Sequence, residues 1–216
     1  MKKKQVLSVG LLSCALLLSG CNKASSHTVT KEQYDNCVTK YGFALNNNVT
    51  YSGTFSMGAI NMAGTVEIDN NVLHTKATGD YGFENFFKID VNTLTEEGMV
   101  SYELMSLEPG ASEYYHKAGT CLLSSALTES TYMVFIDYEK LSYDSANEIY
   151  SLNEEVEVSA PEENMHVLCA DLKFDDGQLM AYHFKYYPVS QPMMLLEINL
   201  VAEKIGSTVV EFPTIA

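Results

Sequence analysis

The clearest chemical signal in the sequence is a cysteine preceded by small residues near the amino terminus. Residues 18–21 read Leu-Ser-Gly-Cys, which has the form of a lipobox. In that pattern the small residues admit the chain to a signal peptidase, and the thiolate of Cys21 takes a diacylglyceryl group. Three lysines at 2–4 precede an apolar run over Val6–Leu18. This run is too short for a permanent transmembrane helix, which needs roughly 20 residues. The sequence therefore predicts a signal peptide over 1–20 and a lipidated Cys21 that holds the chain on the extracytoplasmic face of the cell membrane. An ordinary secretory signal with a chance cysteine is the alternative.

The cysteines that follow this segment are Cys37, Cys121 and Cys169. They are widely spaced and form neither a CxxC pair nor a zinc-type cluster. In an exported protein, three cysteines give either one disulfide with one free thiol or three thiols that pack as small apolar side chains. The sequence leaves these two alternatives open.

The histidines and acidic residues form no catalytic or metal-binding motif. The sequence contains no GxSxG, HExxH, GxGxxG or P-loop pattern. His183 and Asp171 are predicted to face each other across a late hairpin, but two ligands do not make a metal site. The acidic run at 154–157 lacks the Asp-x-Asp-x-Asp-Gly spacing of a calcium loop. We therefore expect a protein that is not an enzyme and that holds no cofactor and no metal.

The charge balance restricts the class of partner. The 196 residues after the predicted signal peptide contain ten lysines against twenty-eight acidic residues, a formal net charge of −18. Such a surface repels phosphate backbones, so we expect no binding to nucleic acid. It also repels anionic headgroups, so we expect membrane attachment to depend on the lipid at Cys21. Residues 21–29 are small and polar, which is typical of a flexible tether. The rest, 30–216, is long enough for one domain with a substantial core.

The hydrophobic pattern predicts a helix followed by many strands. Helical spacing runs over 30–45, with Thr30 as its N-cap. The period then changes to two, which indicates half-buried strands. Residues 122–129 favour a short helix and 138–151 a loop or broken helix. The Asp175–Gly177 stretch is a hairpin signal. We expect strands at 49–57, 62–68, 72–78, 85–91, 99–107, 112–117, 166–174, 178–187, 193–203 and 208–212. The sequence thus predicts an α+β fold, with one curved antiparallel sheet that forms an unclosed half-barrel, an N-terminal helix and a central helical insertion.

The strands between His166 and Ala202 are apolar on more than one face. A sheet over an ordinary core needs only one apolar face. The second face is therefore covered by helices or by a continuation of the sheet, or else the concave face lines an apolar cavity. Methionines and tyrosines suit an adaptable pocket and a plain core equally well. If a cavity exists, we expect its lining to include Phe184, Met194, Leu196 and Ile198.

The lipobox, the N-terminal helix, the long antiparallel strands, the helical insertion and the Asp175–Gly177 hairpin together resemble the LolA/LppX-type half-barrel lipoproteins. The resemblance implies an unclosed barrel that is capped by helices and can hold acyl chains. The periplasmic carriers of that family depend on an arginine at the cavity mouth, and this sequence has no arginine. From the lipobox and the resemblance to a half-barrel, we expect a membrane-anchored lipoprotein that binds or carries an apolar ligand such as a lipid or acyl chain. The alternative is an envelope module with a solid core that binds a protein partner, whose identity the sequence does not give.

Overall fold

The computed structural model describes residues 26–38, 48–108, 110–159 and 163–214. Within these ranges twelve strands form one antiparallel sheet, and two α-helices pack on it. The helices are α1 (Lys31–Val38) and α2 (Leu123–Thr131). The strands are β1 (Asn48–Met57), β2 (Ile60–Asp69), β3 (Val72–Gly79), β4 (Phe83–Asp90), β5 (Met99–Leu107), β6 (Tyr115–Leu122), β7 (Leu141–Asp144), β8 (Ile149–Leu152), β9 (Val156–Val158), β10 (Met165–Asp175), β11 (Gln178–Pro188) and β12 (Leu196–Ile205).

The sheet is unclosed. Its strand order is β6-β5-β4-β3-β2-β1-β12-β11-β10-β8-β7, and β9 pairs with β10 outside this path. Strand β12 pairs with β1 on one side and with β11 on the other. The last strand therefore joins the N-terminal strands β1–β6 to the C-terminal strands β7–β11. The predicted α+β class with one curved antiparallel sheet is confirmed.

Hairpin turns follow the predicted chemistry. Asn70 joins β2 to β3 with φ 56°, and Asp176 and Gly177 join β10 to β11 with φ 47° and 79°. In the turn between β10 and β11 both central residues have positive φ, which is the backbone of the tight hairpin turn whose twist matches that of the flanking strands. The hairpin at Asp175–Gly177 is therefore confirmed.

The middle of the sheet depends on glycine. A Cβ at Gly53 would collide with the backbone carbonyl of Asn199, and one at Gly64 would collide with that of Lys76. Gly53 and Gly64 also face each other across β1 and β2. Neighbouring backbones approach so closely here that no side chain fits.

The concave face of the sheet carries the core. The buried side chains of α1 are Tyr34 and Val38, and those of α2 include Leu123, Ala126 and Leu127. They pack on the inward side chains of the strands, and buried residues of the segment 133–136 complete the layer. Buried tyrosine hydroxyls find backbone acceptors, as buried polar groups must. These hydrogen bonds run from Tyr34 to Ile136, from Tyr51 to Leu179, from Tyr182 to Thr131 and from Tyr186 to Tyr132.

Some predicted boundaries were wrong. The stretch 138–151 is not a loop, because it holds a 3₁₀ turn followed by the hairpin of β7 and β8. Four-residue strands are too short to show a period of two. No strand covers 208–212, since Thr208 instead hydrogen bonds to Asn48 and Thr50. The helix predicted at 30–45 is seen over Lys31–Val38, and residues 39–45 lie outside the described residues.

Two irregularities change which residues face the core. The pairing of β10 with β11 shifts between Val167 and Cys169 and again between Lys173 and Phe174. Val167 and Leu179 are buried, although strict alternation along each strand would place Leu168 and Met180 on the core face instead. A bulge adds a residue to one strand, so strict alternation assigns the wrong face beyond it.

Candidate functional site

The strands place the two ends of the domain about 30 Å apart, because β1 has ten residues at roughly 3.3 Å each. Residues 26–29, which the sequence assigned to the tether, pack at one end. The carbonyl of Ser26 accepts a hydrogen bond from the amide of Asp176 at 2.9 Å. Val29 is buried there, and its backbone amide and carbonyl form hydrogen bonds with the hydroxyl groups of Tyr150 and Tyr138. We call the opposite end, where β1 finishes at Met57, the rim.

An apolar pocket of about 140 Å³ opens at the rim. Its walls come from the ends of β1, β2 and β12, from the start of β4 and from the residue after α2. The lining residues are Phe55, Ser56, Met57, Met62, Tyr81, Phe83, Tyr132, Leu196 and Ile198.

Tyr132 is the residue that joins this pocket to the helix. It ends α2 in the left-handed conformation, with φ 57°, and its amide donates to the carbonyl of Thr128. This turn directs its ring against Phe55, edge-on at 5.4 Å between centroids, and against Phe83 at 5.8 Å. The pocket is thus lined by aromatic rings that the end of a helix holds in place.

The structure brings together two of the four predicted cavity residues. Leu196 and Ile198 line the rim pocket. Phe184 is fully buried in the core, with its ring 6.0 Å from that of Tyr182. Met194 lies in the turn before β12, beside a shallow groove that also contains Pro192. Of the four residues expected to line part of a cavity, Leu196 and Ile198 therefore lie at the rim pocket. Hydrogen bonds within residues 188–194 form turns, and the strand starts only at Leu196.

A polar cluster lies on the opposite, convex face, where β8, β10, β11 and β12 are adjacent. Nδ1 of His183 lies 3.2 Å from Oδ2 of Asp171, and Nε2 of His183 lies 3.1 Å from Oε1 of Glu197. Sγ of Cys169 lies 3.5 Å from the same Oδ2 and 3.7 Å from the same Nδ1. Among the described residues this is the group whose three ligand atoms lie near enough together to hold a metal ion. We call it the convex cluster.

The electrostatics of the convex cluster follow from its neighbours. Burial, and then the negative charge of Asp171, raise the pKa of the Cys169 thiol to about 11. For Asp171, burial opposes ionisation, but hydrogen bonds from Ser151 and His183 outweigh it and lower its pKa. Hydrogen bonds from His183 and Lys185 lower the pKa of Glu197. Both carboxyl groups are therefore held ionised around the imidazole.

A second histidine has a similar setting without a thiol. Nδ1 of His74 lies 2.7 Å from Glu67, and its Nε2 lies 2.9 Å from Glu84. The ring stacks on Phe86 at 4.0 Å between centroids. Tyr114 donates to Glu84 at 2.8 Å, and its own pKa is raised to about 12, first by burial and then by this carboxylate. This group, which we call the His74 cluster, links side chains of three neighbouring strands, β2, β3 and β4.

Sequence reasoning paired His183 with Asp171 but missed Cys169 and Glu197. Residues two apart on a strand share a face, so Cys169 and Asp171 could have been grouped from their spacing. Glu197 required knowledge that β12 lies beside β11. Among the described residues, Cys37 and Cys169 are free thiols. Cys21 lies outside the described residues.

Comparisons of the chain with family models, with curated proteins and with solved structures give no match. None of the helices within the described ranges is both long and apolar enough to span a membrane.

Proposed function

We propose that the chain is an extracytoplasmic lipoprotein, anchored through Cys21, whose domain binds the apolar part of a ligand in the rim pocket. The lipobox at residues 18–21 supports the anchor. The observation that carries the binding role is the pocket itself, an apolar opening at the end of the sheet. A concave apolar site with few polar groups is the usual form of a small-molecule site.

The size of the pocket limits its occupant. A volume of about 140 Å³ is close to that of an engineered cavity of about 150 Å³ that takes benzene. The pocket therefore suits one ring or the last few carbons of an alkyl chain. Burying about five methylenes contributes roughly 4 kcal/mol, which corresponds to a dissociation constant near 1 mM. Binding by the pocket alone is weak and reversible.

The rest of the concave face leaves little room for a long chain. In this proposal α2 and the segment 133–136 form the helical insertion that fills the half-barrel, since their buried side chains belong to the same core as the strands. A LolA/LppX-like relationship remains part of the proposal. Under this proposal the chain is a half-barrel whose interior is filled by side chains except at the rim.

The direction of the pocket follows from the position of the N-terminal segment. Ser26 packs at the end of the sheet opposite the rim. Four residues lie between it and Cys21, so the two Cα atoms are at most about 18 Å apart. With the domain upright on its anchor, the rim faces away from the membrane that holds the chain. The occupant therefore reaches the pocket from the medium or from another molecule.

An envelope protein-interaction module is the second candidate, and one observation favours it. Met193, in the turn beside the pocket, is 92% exposed. It borders a groove formed with Met57 and Pro192. An exposed methionine next to an apolar opening suits the contact surface of a protein partner.

Two variants with the same charge change separate these candidates. Leu196→Glu places a carboxylate in the pocket wall, and Met193→Glu places one on the exposed turn nearby. The probe is a fluorescent short-chain fatty acid added to protein purified without detergent, with native mass spectrometry as a second readout. For the binding module, Leu196→Glu abolishes uptake and Met193→Glu retains it. If the wild-type protein shows neither uptake nor bound lipid mass, the pocket proposal fails and the interaction module is the better account.

A further inference from the structure

The convex cluster combines three metal-ligand types on one rigid hairpin. Cys169 and Asp171 lie on the same face of β10, two residues apart, and His183 pairs with Asp171 across the hairpin. Strands hold ligands more accurately than loops do. The backbone register alone therefore brings a thiol, a carboxylate and an imidazole to one point.

The three donor atoms have the spacing of one face of a tetrahedron. Zinc bonds of about 2.0–2.1 Å to nitrogen and oxygen and about 2.3 Å to sulfur place tetrahedral ligands about 3.3 Å apart for N–O and about 3.6 Å apart for S–N and S–O. The observed separations are 3.2 Å for His183 Nδ1 to Asp171 Oδ2, 3.7 Å for Cys169 Sγ to that nitrogen and 3.5 Å for Sγ to that oxygen. A zinc ion can contact all three without movement of the strands.

The surrounding residues orient these ligands as an outer layer does in metal sites. Glu197 accepts a hydrogen bond from Nε2 of His183 at 3.1 Å, which leaves the Nδ1 lone pair for a cation. Ser151 donates to Oδ1 of Asp171 at 2.6 Å, which leaves Oδ2 for the same cation. Lys185 lies 3.2 Å from Glu197. With the thiol ionised, Cys169, Asp171, Glu197 and Lys185 carry a net charge of −2, which a divalent cation neutralises.

We propose that Cys169, Asp171 and His183 bind one Zn²⁺ ion on the convex face, with its fourth position open to solvent. Binding forms the Zn–S, Zn–N and Zn–O bonds. The proton of the Cys169 thiol passes to solvent, and so does the Nδ1 proton that His183 donates to Asp171 in the metal-free cluster. No electron is transferred. The site is partly exposed, since the side chains of His183 and Asp171 are 27% and 33% accessible, so the ion enters from the medium. The thiolate and imidazole donors favour zinc over calcium or magnesium.

The test is metal binding by the purified, reduced full chain in detergent. We expect one equivalent of Zn²⁺ to remain after dialysis. We also expect Co²⁺ to give the absorption band of thiolate-to-cobalt charge transfer, which zinc then displaces. Cys169→Ser should remove this band, and Glu197→Gln should weaken binding by about 10–100-fold, as loss of an outer-layer carboxylate does.

The His74 cluster supplies the matched control. His74 lies between two carboxylates as His183 does, but within the described part of the chain no cysteine forms a metal-type cluster with it. His74→Gln should therefore leave the cobalt spectrum unchanged. The proposal is overturned if the wild-type chain shows no cobalt–thiolate band, or if the Cys169→Ser variant keeps it. It is also overturned if zinc does not slow alkylation of Cys169 relative to Cys37, a readout that needs no variant. In those cases the convex cluster only links neighbouring strands, as the His74 cluster does.

Discussion

The docking of residues 26–29 on the domain leads to a test on a single hydroxyl group. The Tyr150 hydroxyl accepts a hydrogen bond from the Val29 amide at 3.0 Å and lies 3.1 Å from the Val29 carbonyl. That carbonyl has a second donor, because the Tyr138 hydroxyl lies 2.9 Å from it. The two tyrosines therefore differ in what their loss leaves behind. Tyr150→Phe leaves a buried N–H without its partner, whereas Tyr138→Phe leaves a carbonyl that still has one donor.

The expected magnitudes follow from this difference. A buried hydrogen-bond donor that is left without an acceptor lowers the free energy of unfolding by about 1–3 kcal/mol, whereas the loss of one hydrogen bond lowers it by about 0.5–1.5 kcal/mol. We expect Tyr150→Phe to reduce the free energy of unfolding by about 2 kcal/mol and Tyr138→Phe by about 1 kcal/mol. For Tyr150→Phe this lowers the urea midpoint by roughly 1 M.

Urea unfolding followed by circular dichroism measures both variants. Hydrogen exchange of the Val29 amide then localises the effect, since exchange should accelerate in Tyr150→Phe and change little in Tyr138→Phe. Equal losses of stability in the two variants would refute the reasoning. So would rapid exchange of the Val29 amide in the wild-type protein, because residues 26–29 would then not be part of the folded domain.

Three further outcomes are expected. Cys21→Ala should abolish incorporation of labelled palmitate and membrane retention, and continued labelling would show that the lipobox interpretation is wrong. Gly64→Ala should destabilise the domain severely, because the added Cβ would collide with the backbone of Lys76. Gly119→Ala on edge strand β6 should be mild, because there the added Cβ meets only a side chain at 3.4 Å. Equal losses of stability in denaturant unfolding of the two variants would contradict this. Burial raises the pKa of several core tyrosines, so the folded state keeps protons that the unfolded state loses near pH 10. Stability should therefore be intact below pH 10 and fall above it, and absorbance titration should show these phenols ionising only on unfolding: Tyr34, Tyr51, Tyr182 and Tyr186.

Most strands of the sheet could be predicted from local patterns in the sequence. Alternation over Val49–Met57 predicted β1, because one face of that strand packs on the core and the other does not. The Asp175–Gly177 turn was equally clear, since its positive φ angles need those residue types. The bulges in β10 and β11 could not be predicted, because an inserted residue does not change the amino-acid composition that is typical of a strand.

The candidate sites were harder to predict, since both depend on non-local pairing. The rim pocket combines Phe83 from one meander with Leu196 and Tyr132 from distant parts of the chain. The doubled apolar character of the late strands suggested a cavity, and part of it is explained by the bulges in β10 and β11, which change the face on which the following side chains lie. The convex cluster needs β8 and β12 on either side of the β10–β11 hairpin, an order that the sequence does not state.

The most direct test of the proposed function is methyl-detected NMR during a titration with a short alkyl carboxylate such as hexanoate. The rim pocket provides methyl probes in Met62 and Ile198, and Ile68 provides a buried control at the opposite end of β2. We predict saturable shifts of the Met62 and Ile198 methyl signals, with a dissociation constant near 1 mM, no shift of Ile68, and loss of the response in Leu196→Glu. Unchanged Met62 and Ile198 signals at saturating hexanoate, or shifts as large at Ile68, would contradict the assignment of the rim pocket as a binding site.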